Sequence, residues 1–167
     1  MKITKQELMD LSACTDGLDR FIEQTNNTDD AVEVASLVGG INTYYDFLWL
    51  AGKKLGKDKI IKFACDCALI NIEKIKPYTV KYELIVGFLE SAGKANADSF
   101  TALDAARDAR DAAWAVFSYV AAIAAFNASS ADTEYACASI ASLAASNAAD
   151  AGDERKVDEL LKELFGG

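Results

Sequence analysis

The sequence predicts an all-α protein, a compact single-domain bundle of seven to eight helices with an alanine-rich helical hairpin at its centre. Alanine, the best intrinsic helix former, supplies 24 of the 60 residues between Ala92 and Ala151. Only one proline, Pro77, stands in the 167 residues, which leaves few helix breakers. Apolar residues also recur at helical spacing behind capping residues, and no segment requires a strand.

Local capping signals organise the N-terminal quarter of the chain. Thr4 followed by Glu7 matches a capping box, in which each residue satisfies a backbone N–H of the other, so a helix starts at Lys5. The asparagine-rich stretch that comes later is typical of a loop. The predicted elements are a helix from Lys5 that is interrupted or restarted at 15–17, a loop over 26–30, and a short helix over about 29–38 that ends at Gly39-Gly40.

The middle of the chain alternates capping residues with amphipathic runs. Thr43 caps one helix and Gly56 ends it, while Pro77 ends the next because the residue before a proline avoids the α-helical conformation. The predicted helices cover about 44–55, 57–75 and, after a cap at Thr79, about 80–92. In the helix over 57–75 the apolar residues lie near one face and the lysines occupy the wetter side.

The alanine-rich hairpin covers about 99–150, with helices over about 99–127 and 131–149, and a last helix follows over about 153–165. Residues 112–131 carry no charge and are long enough to test as a membrane span. However, the segment is rich in alanine, which inserts weakly, and no basic flank orients it. Burial inside a helical bundle is therefore the better interpretation.

Charge is distributed unevenly along a chain whose net charge is −9. Residues 1–40 hold eight acids and three bases, residues 41–99 hold seven acids and nine bases, and residues 100–167 hold eleven acids and five bases. This balance argues against binding to nucleic acid, which requires a basic footprint, and against an anionic membrane surface. It suits solubility or a basic protein partner.

The cysteines indicate neither a metal site nor a disulfide framework. Cys65 and Cys67 point to opposite sides of a helix, no CxxC spacing exists, and the chain has no histidine. We therefore expect no metal and no cofactor, and reduced, buried thiols at positions 14, 65, 67 and 137. Residues 1–11 contain no apolar signal region, so the expected location is the cytoplasm.

One carboxylate stands out among the residues that could do chemistry. Asp66 lies within the apolar stretch Phe63–Ala68. The ordinary interpretation is a carboxylate at the rim of an apolar face or one paired with a nearby base. The alternative is an enzyme in which Asp66 acts with a tyrosine or lysine partner, since acid–base chemistry without histidine falls to such groups. No phosphate-binding loop is present, and we predict that the protein is not an enzyme.

The charged segments supply the candidate partner-binding residues. The acidic N-terminal segment could form a docking surface for a basic target, since complementary charge speeds association. The lysine cluster over 53–62 and the mixed charges near 107 are solvated faces in the ordinary interpretation and could also contact a partner. The candidate residues are Asp16, Asp19, Glu23, Asp29, Asp30, Lys53, Lys54, Lys57, Arg107 and Asp108.

Several landmarks in a fixed order resemble the immunity-protein family of bacteria and their phages, in its immunity-protein-five-like group. The likeness spans roughly residues 8–150, and the lysine-rich middle and short size look like phage members. The landmarks are Ala13-Cys14 with Leu18, Leu48-Trp49-Leu50, Phe63–Ala68, and Ala102–Ala109 at the start of the alanine array. The resemblance implies an all-helical, non-enzymatic protein that neutralises a target by binding it, and it supplies no catalytic residues.

Three functions follow as hypotheses from these observations. The first is a stoichiometric inhibitor whose protein target is a bacterial effector or defence component. The second is an acidic mimic of nucleic acid that occupies the groove of a DNA-binding host protein, although the lysine cluster counts against it. The third is the small enzyme that uses Asp66. A second copy of the chain is a further candidate partner, because the charge-free residues 112–126 offer a contact surface.

Overall fold

The computed structural model describes residues 1–70, 72–78, 80, 82–91 and 134–166. This part of the chain is mainly helical, as predicted, and contains seven α-helices and one short sheet. The helices are α1 (Lys5–Asp10), α2 (Thr15–Gln24), α3 (Tyr44–Lys54), α4 (Lys57–Leu69), α5 (Tyr82–Glu90), α6 (Glu134–Ala148) and α7 (Glu154–Gly166). The strands are β1 (Lys2–Ile3) and β2 (Val32–Glu33), and short 3₁₀ helices cover Val34–Leu37 and Ile72–Tyr78.

The capping box at the start of α1 is confirmed. The Thr4 hydroxyl accepts a hydrogen bond from the Glu7 backbone N–H at 3.1 Å, and the Glu7 carboxylate accepts one from the Thr4 N–H at 3.0 Å. The helix ends at Asp10, and Ser12 takes a left-handed conformation with φ of 62°. α2 then starts at Thr15, so the predicted restart of the helix is also confirmed.

The predicted helix over about 29–38 is wrong, as is the expectation that no strand occurs. β1 and β2 pair antiparallel, with Lys2 opposite Glu33 and Ile3 opposite Val32, and a 3₁₀ helix follows. Asn26 and Asn27 both have positive φ, which reverses the chain so that it returns to β1. Burial of the β-branched side chains in this pairing outweighs the local capping signal of the two aspartates.

The helices on either side of Gly56 are confirmed, although the second is shorter than predicted. Thr43 forms a capping box with Asp46 at the start of α3, and Gly56 adopts φ of +86° between α3 and α4. α4 ends at Leu69 instead of continuing to 75, and tight 3₁₀ turns carry the chain through Pro77. The buried face of α4 consists of Ile60, Ile61, Phe63, Ala64, Cys65, Cys67 and Ala68.

α6 is the central helix of the described core, which confirms the position predicted for the second arm of the alanine hairpin. It packs against both α3 and α4. The first arm, predicted over about 99–127, lies outside the described residues. Small side chains recur on α6 at helical spacing and are almost completely buried: Cys137, Ala138, Ala141, Ala144, Ala145 and Ala148.

A kink at Gly152 joins α6 to α7, close to the predicted break. Gly152 has φ of +96° inside a wide π-type turn over Ala149–Asp153, a conformation that suits glycine. α7 then packs against the 3₁₀ helix Val34–Leu37 and against α4, and its Phe165 ring lies 6.2 Å from the Phe47 ring. α7 therefore ties the N-terminal elements to the central helices.

Within the described ranges, no helix combines the length and the apolar character that crossing a membrane would require.

We predict that the alanine face of α6 cannot accept larger side chains. Ala144 is fully buried, and extra methylene groups in a packed core force neighbouring atoms apart. Ala144→Leu should lower the free energy of unfolding by about 1–3 kcal/mol, measured by urea denaturation. Leu143→Ala, at the exposed neighbouring position, is the control and should change stability by about 0.5 kcal/mol or less. Equal stability of both variants would contradict the central packing of α6.

Candidate functional site

α2 presents the clearest cluster of the predicted partner-binding residues. Asp16, Asp19 and Glu23 occupy positions i, i+3 and i+7 and are all exposed, so they share one side of the helix. Within the part of the chain that the structure describes, none of the three forms an ion pair. We call these three residues the α2 acidic face.

The other two predicted acids lie in the loop that follows α2. Asp29 pairs with Lys5 at 2.8 Å, and the hydrogen bond from this lysine lowers the pKa of the Asp29 carboxyl. Asp30 is exposed, and its N–H donates to the Thr28 hydroxyl at 3.2 Å. Asp29 thus serves partly to hold the loop against α1, which makes it a weaker docking candidate than the α2 acidic face.

The predicted lysine cluster is spread over the end of α3 and the start of α4. Lys53 is exposed, Lys54 pairs with Glu7 of α1 at 3.4 Å, and Lys57 is the first residue of α4. No ion pair between this cluster and the α2 acidic face is found among the described side chains. Arg107 and Asp108 lie outside the described residues.

The ordinary interpretation of Asp66 is confirmed. Its carboxylate pairs with Lys62, one helical turn earlier on α4, at 2.5 Å, and its side chain is partly exposed. The structure therefore places Asp66 at the rim of the apolar face of α4, in an i, i+4 ion pair. The hypothesis of an enzyme that uses Asp66 stays a prediction.

A structural ion pair that the sequence analysis missed joins α2 to α3. Arg20 donates two hydrogen bonds to Asp46, at 2.7 and 2.8 Å, and Thr43 donates to the same carboxylate. Burial raises the pKa of Asp46, but the hydrogen bonds from Arg20 and Thr43 outweigh burial and leave the pKa below its ordinary value. Asp46 is therefore a structural anion rather than a docking residue.

An apolar cavity of about 230 Å³ lies behind this ion pair. Ile3, Phe21 and Leu50 are among its apolar walls, and Gly17 of α2 and the preceding Cys14 line it as well. Cys14 is exposed, so the expectation that all four thiols are buried is wrong for this residue. Cys14 is the residue that precedes α2, and its side chain makes no capping hydrogen bond.

A second, larger cavity of about 440 Å³ lies between the loop that follows the first 3₁₀ helix, the start of α3, and helices α6 and α7. Three carboxylates line it, Asp150, Glu154 and Asp158, and we call it the acidic cavity. The Tyr44 hydroxyl donates to Asp158 at 3.3 Å. Burial and the nearby Asp158 raise the pKa of Tyr44 well above its ordinary value, so this hydroxyl stays protonated.

The side chain of Gln24 holds the loop wall of the acidic cavity in place. Its Nε2 donates to the Leu37 carbonyl at 2.9 Å, while its Oε1 accepts from the Ile41 N–H and from the Asn42 amide. A Cβ at Gly40 would come within 2.1 Å of Gln24. A side chain at position 40 would therefore have to displace the Gln24 amide from these hydrogen bonds.

The sequence analysis did not single out any of the three acids of this cavity. The four-residue spacing of Glu154 and Asp158 was a signal that these two share a face of α7, whereas Asp150 lies before the kink at Gly152. The sequence alone could not show that this face, together with Tyr44 and the Gly39-Gly40 loop, borders a cavity, because these elements are more than a hundred residues apart.

Comparisons with family models, with curated proteins and with solved structures found no match to this chain.

We predict that the Arg20–Asp46 pair makes stability depend on acid pH. Its carboxyl has a lower pKa in the folded than in the unfolded chain, so the contribution is complete above the unfolded value near 3.8 and disappears as pH falls through the folded value. Asp46→Asn should lower the free energy of unfolding at neutral pH by about 1–2 kcal/mol and flatten its decline in acid. Denaturation experiments at a series of pH values measure both the free energy of unfolding at neutral pH and its decline in acid. Asp19→Asn, at an exposed position, is the control, and an unchanged acid profile in Asp46→Asn would contradict the assignment.

We also predict that the four thiols differ in reactivity. Cys14 is exposed, whereas burial raises the pKa of Cys65 to about 12 and also raises that of Cys67, and a buried protonated thiol is a poor nucleophile. Titration with a chromogenic disulfide should modify Cys14 alone in the native protein and all four thiols after denaturation. Cys14→Ser should remove the native reaction. Rapid labelling of that variant would show that a further thiol is accessible.

Proposed function

We propose that the protein is a non-enzymatic inhibitor that binds a protein target stoichiometrically, as the resemblance to immunity proteins implies. The observation that supports this function is the α2 acidic face. It places three exposed carboxylates on one ordered helix, and they have no ion-pair partner among the described residues. Such a surface attracts a basic segment of a target and speeds the encounter.

The pattern of the described ion pairs supports the choice of this surface over the lysine cluster. Lys54 and Lys62 are engaged by Glu7 and Asp66 within the protein itself, so part of the positive charge is already compensated. Asp16, Asp19 and Glu23 form no ion pair with any described residue, although the charge of Arg20 on the same helix acts on Asp16. The proposed target therefore carries a basic docking segment, and we propose a bacterial effector or defence protein, met in the cytoplasm of a phage-infected cell, as its class.

We predict that neutralising the α2 acidic face weakens target binding. The variant Asp16→Asn/Asp19→Asn/Glu23→Gln should reduce affinity by about tenfold to a hundredfold, mainly through slower association at low salt. The target would be captured from bacterial lysate on the wild-type protein, identified by mass spectrometry, and measured by surface plasmon resonance with stoichiometry from ultracentrifugation.

The matched control changes three other exposed carboxylates, in Asp10→Asn/Glu83→Gln/Glu163→Gln, and alters net charge equally. Equal loss in both variants would show that net charge matters and the α2 acidic face does not. Failure to capture any saturable one-to-one partner would count against the inhibitor. Displacement of a captured DNA-binding protein by duplex DNA would favour the nucleic-acid mimic. Loss of the inhibitory effect on the target in Asp66→Asn alone would favour the enzyme.

A further inference from the structure

The cavity behind the Arg20–Asp46 pair, which we call the apolar cavity, reaches into the hydrophobic core. Its volume is about 230 Å³, whereas protein interiors contain few spaces larger than a water molecule. Strand β1, helices α1, α2 and α3, and the first 3₁₀ helix all contribute to its inner wall. The side chains of this wall are each less than a tenth exposed, and they include Ile3, Leu8, Phe21, Val34, Phe47 and Leu50.

The accessible end of the apolar cavity is its mouth. Of the residues that line it there, Cys14 is exposed, and Tyr45 and Trp49 of α3 are partly exposed. The turn before Cys14 is held in place, because the Ala13 N–H donates to the Leu8 carbonyl at 3.0 Å. Ordered elements therefore form both the inner wall and the mouth, so the cavity is preformed for a molecule that enters it.

The charges around the apolar cavity indicate an uncharged occupant. Among the described residues that line it, Asp46 is the only carboxylate, and none is a lysine or an arginine. Arg20 and Thr43 already donate hydrogen bonds to Asp46, so this carboxylate is not available to a ligand cation. An ion in the apolar part of the cavity would lose its hydration without gaining a partner, which is unfavourable.

The volume of the apolar cavity and the aromatic rings in its wall define the class of molecule that fits. The volume is below the range of about 300–1,000 Å³ that is usual for pockets of drug-sized ligands. It is about half as large again as an apolar cavity of about 150 Å³ that binds benzene, which corresponds to two fused rings. Aromatic rings gain from edge-to-face and offset-stacked contacts. Four aromatic side chains line the cavity: Phe21, Tyr45, Phe47 and Trp49.

We propose that the apolar cavity binds one small, uncharged aromatic molecule of two fused rings, which packs against Phe21 and Phe47 and enters between Cys14 and Trp49. The α2 residues that line the cavity, Gly17 and Phe21, lie on a different side of the helix from the α2 acidic face. The proposal therefore does not depend on the inhibitor function.

The test is calorimetric titration of the full-length protein with indole, together with NMR mapping of methyl shifts. Saturable one-to-one binding is expected, with the shifts concentrated at Ile3, Leu8 and Val34. Leu50→Phe should weaken binding by about tenfold or more, because the larger side chain takes up volume that the ligand needs. The matched control is Leu143→Phe, the same change at an exposed leucine of α6, and it should bind indole as the wild type does.

Ala13→Leu, at another lining position, serves if Leu50→Phe folds poorly, and it should weaken binding in the same way. Three results would each overturn the proposal: no saturable binding up to the solubility limit of indole, equal weakening in Leu143→Phe, or shifts concentrated away from the cavity. Titration with 1-hexanol provides a further arm. Tighter binding of this linear molecule than of indole would also overturn the proposal, because the occupant would then be aliphatic.

Discussion

The described fold depends on the close packing of the alanine face of α6 against α3 and α4. Helices approach each other only as closely as their side chains allow, and Ala141, Ala144 and Ala148 bring the backbone of α6 near both neighbours. The larger side chains that fill the core come from the other helices, chiefly from the buried face of α4. Since Ser142 and Ser146 lie on the same helix as these alanines, the packing that builds the core also positions one wall of the acidic cavity.

The parts of the fold that could be predicted from the sequence are those that local chemistry determines. Thr4 and Thr43 begin helices because each forms a capping box within three residues, and Gly56 separates two helices because it takes a positive φ. The pairing of Ile3 with Val32 could not be predicted in this way. It joins residues about thirty positions apart, and its stability comes from burial that exists only once α7 and the core are in place.

The candidate sites can be divided in the same way, into those that local spacing determines and those that depend on contacts between distant parts of the chain. Asp16, Asp19 and Glu23 could be assigned to one face because helical spacing alone decides it. The ion pair between Arg20 and Asp46 connects two helices, and the spacing of these residues in the sequence does not indicate it. The acidic cavity is a still stronger case, since Tyr44 and Asp158 meet across more than a hundred residues. For Cys14 the expectation from the sequence was wrong. Cysteine is a residue type that is often buried, but Cys14, directly before α2, is exposed.

The acids of this protein serve two different physical purposes. Glu7, Asp46 and Asp66 are compensated by hydrogen-bond donors or cations of the chain itself, so they contribute to stability. Asp16, Asp19 and Glu23 of the α2 acidic face form no ion pair among the described residues, and like charges held on one helix repel each other. A basic segment of the proposed target would relieve this repulsion on α2.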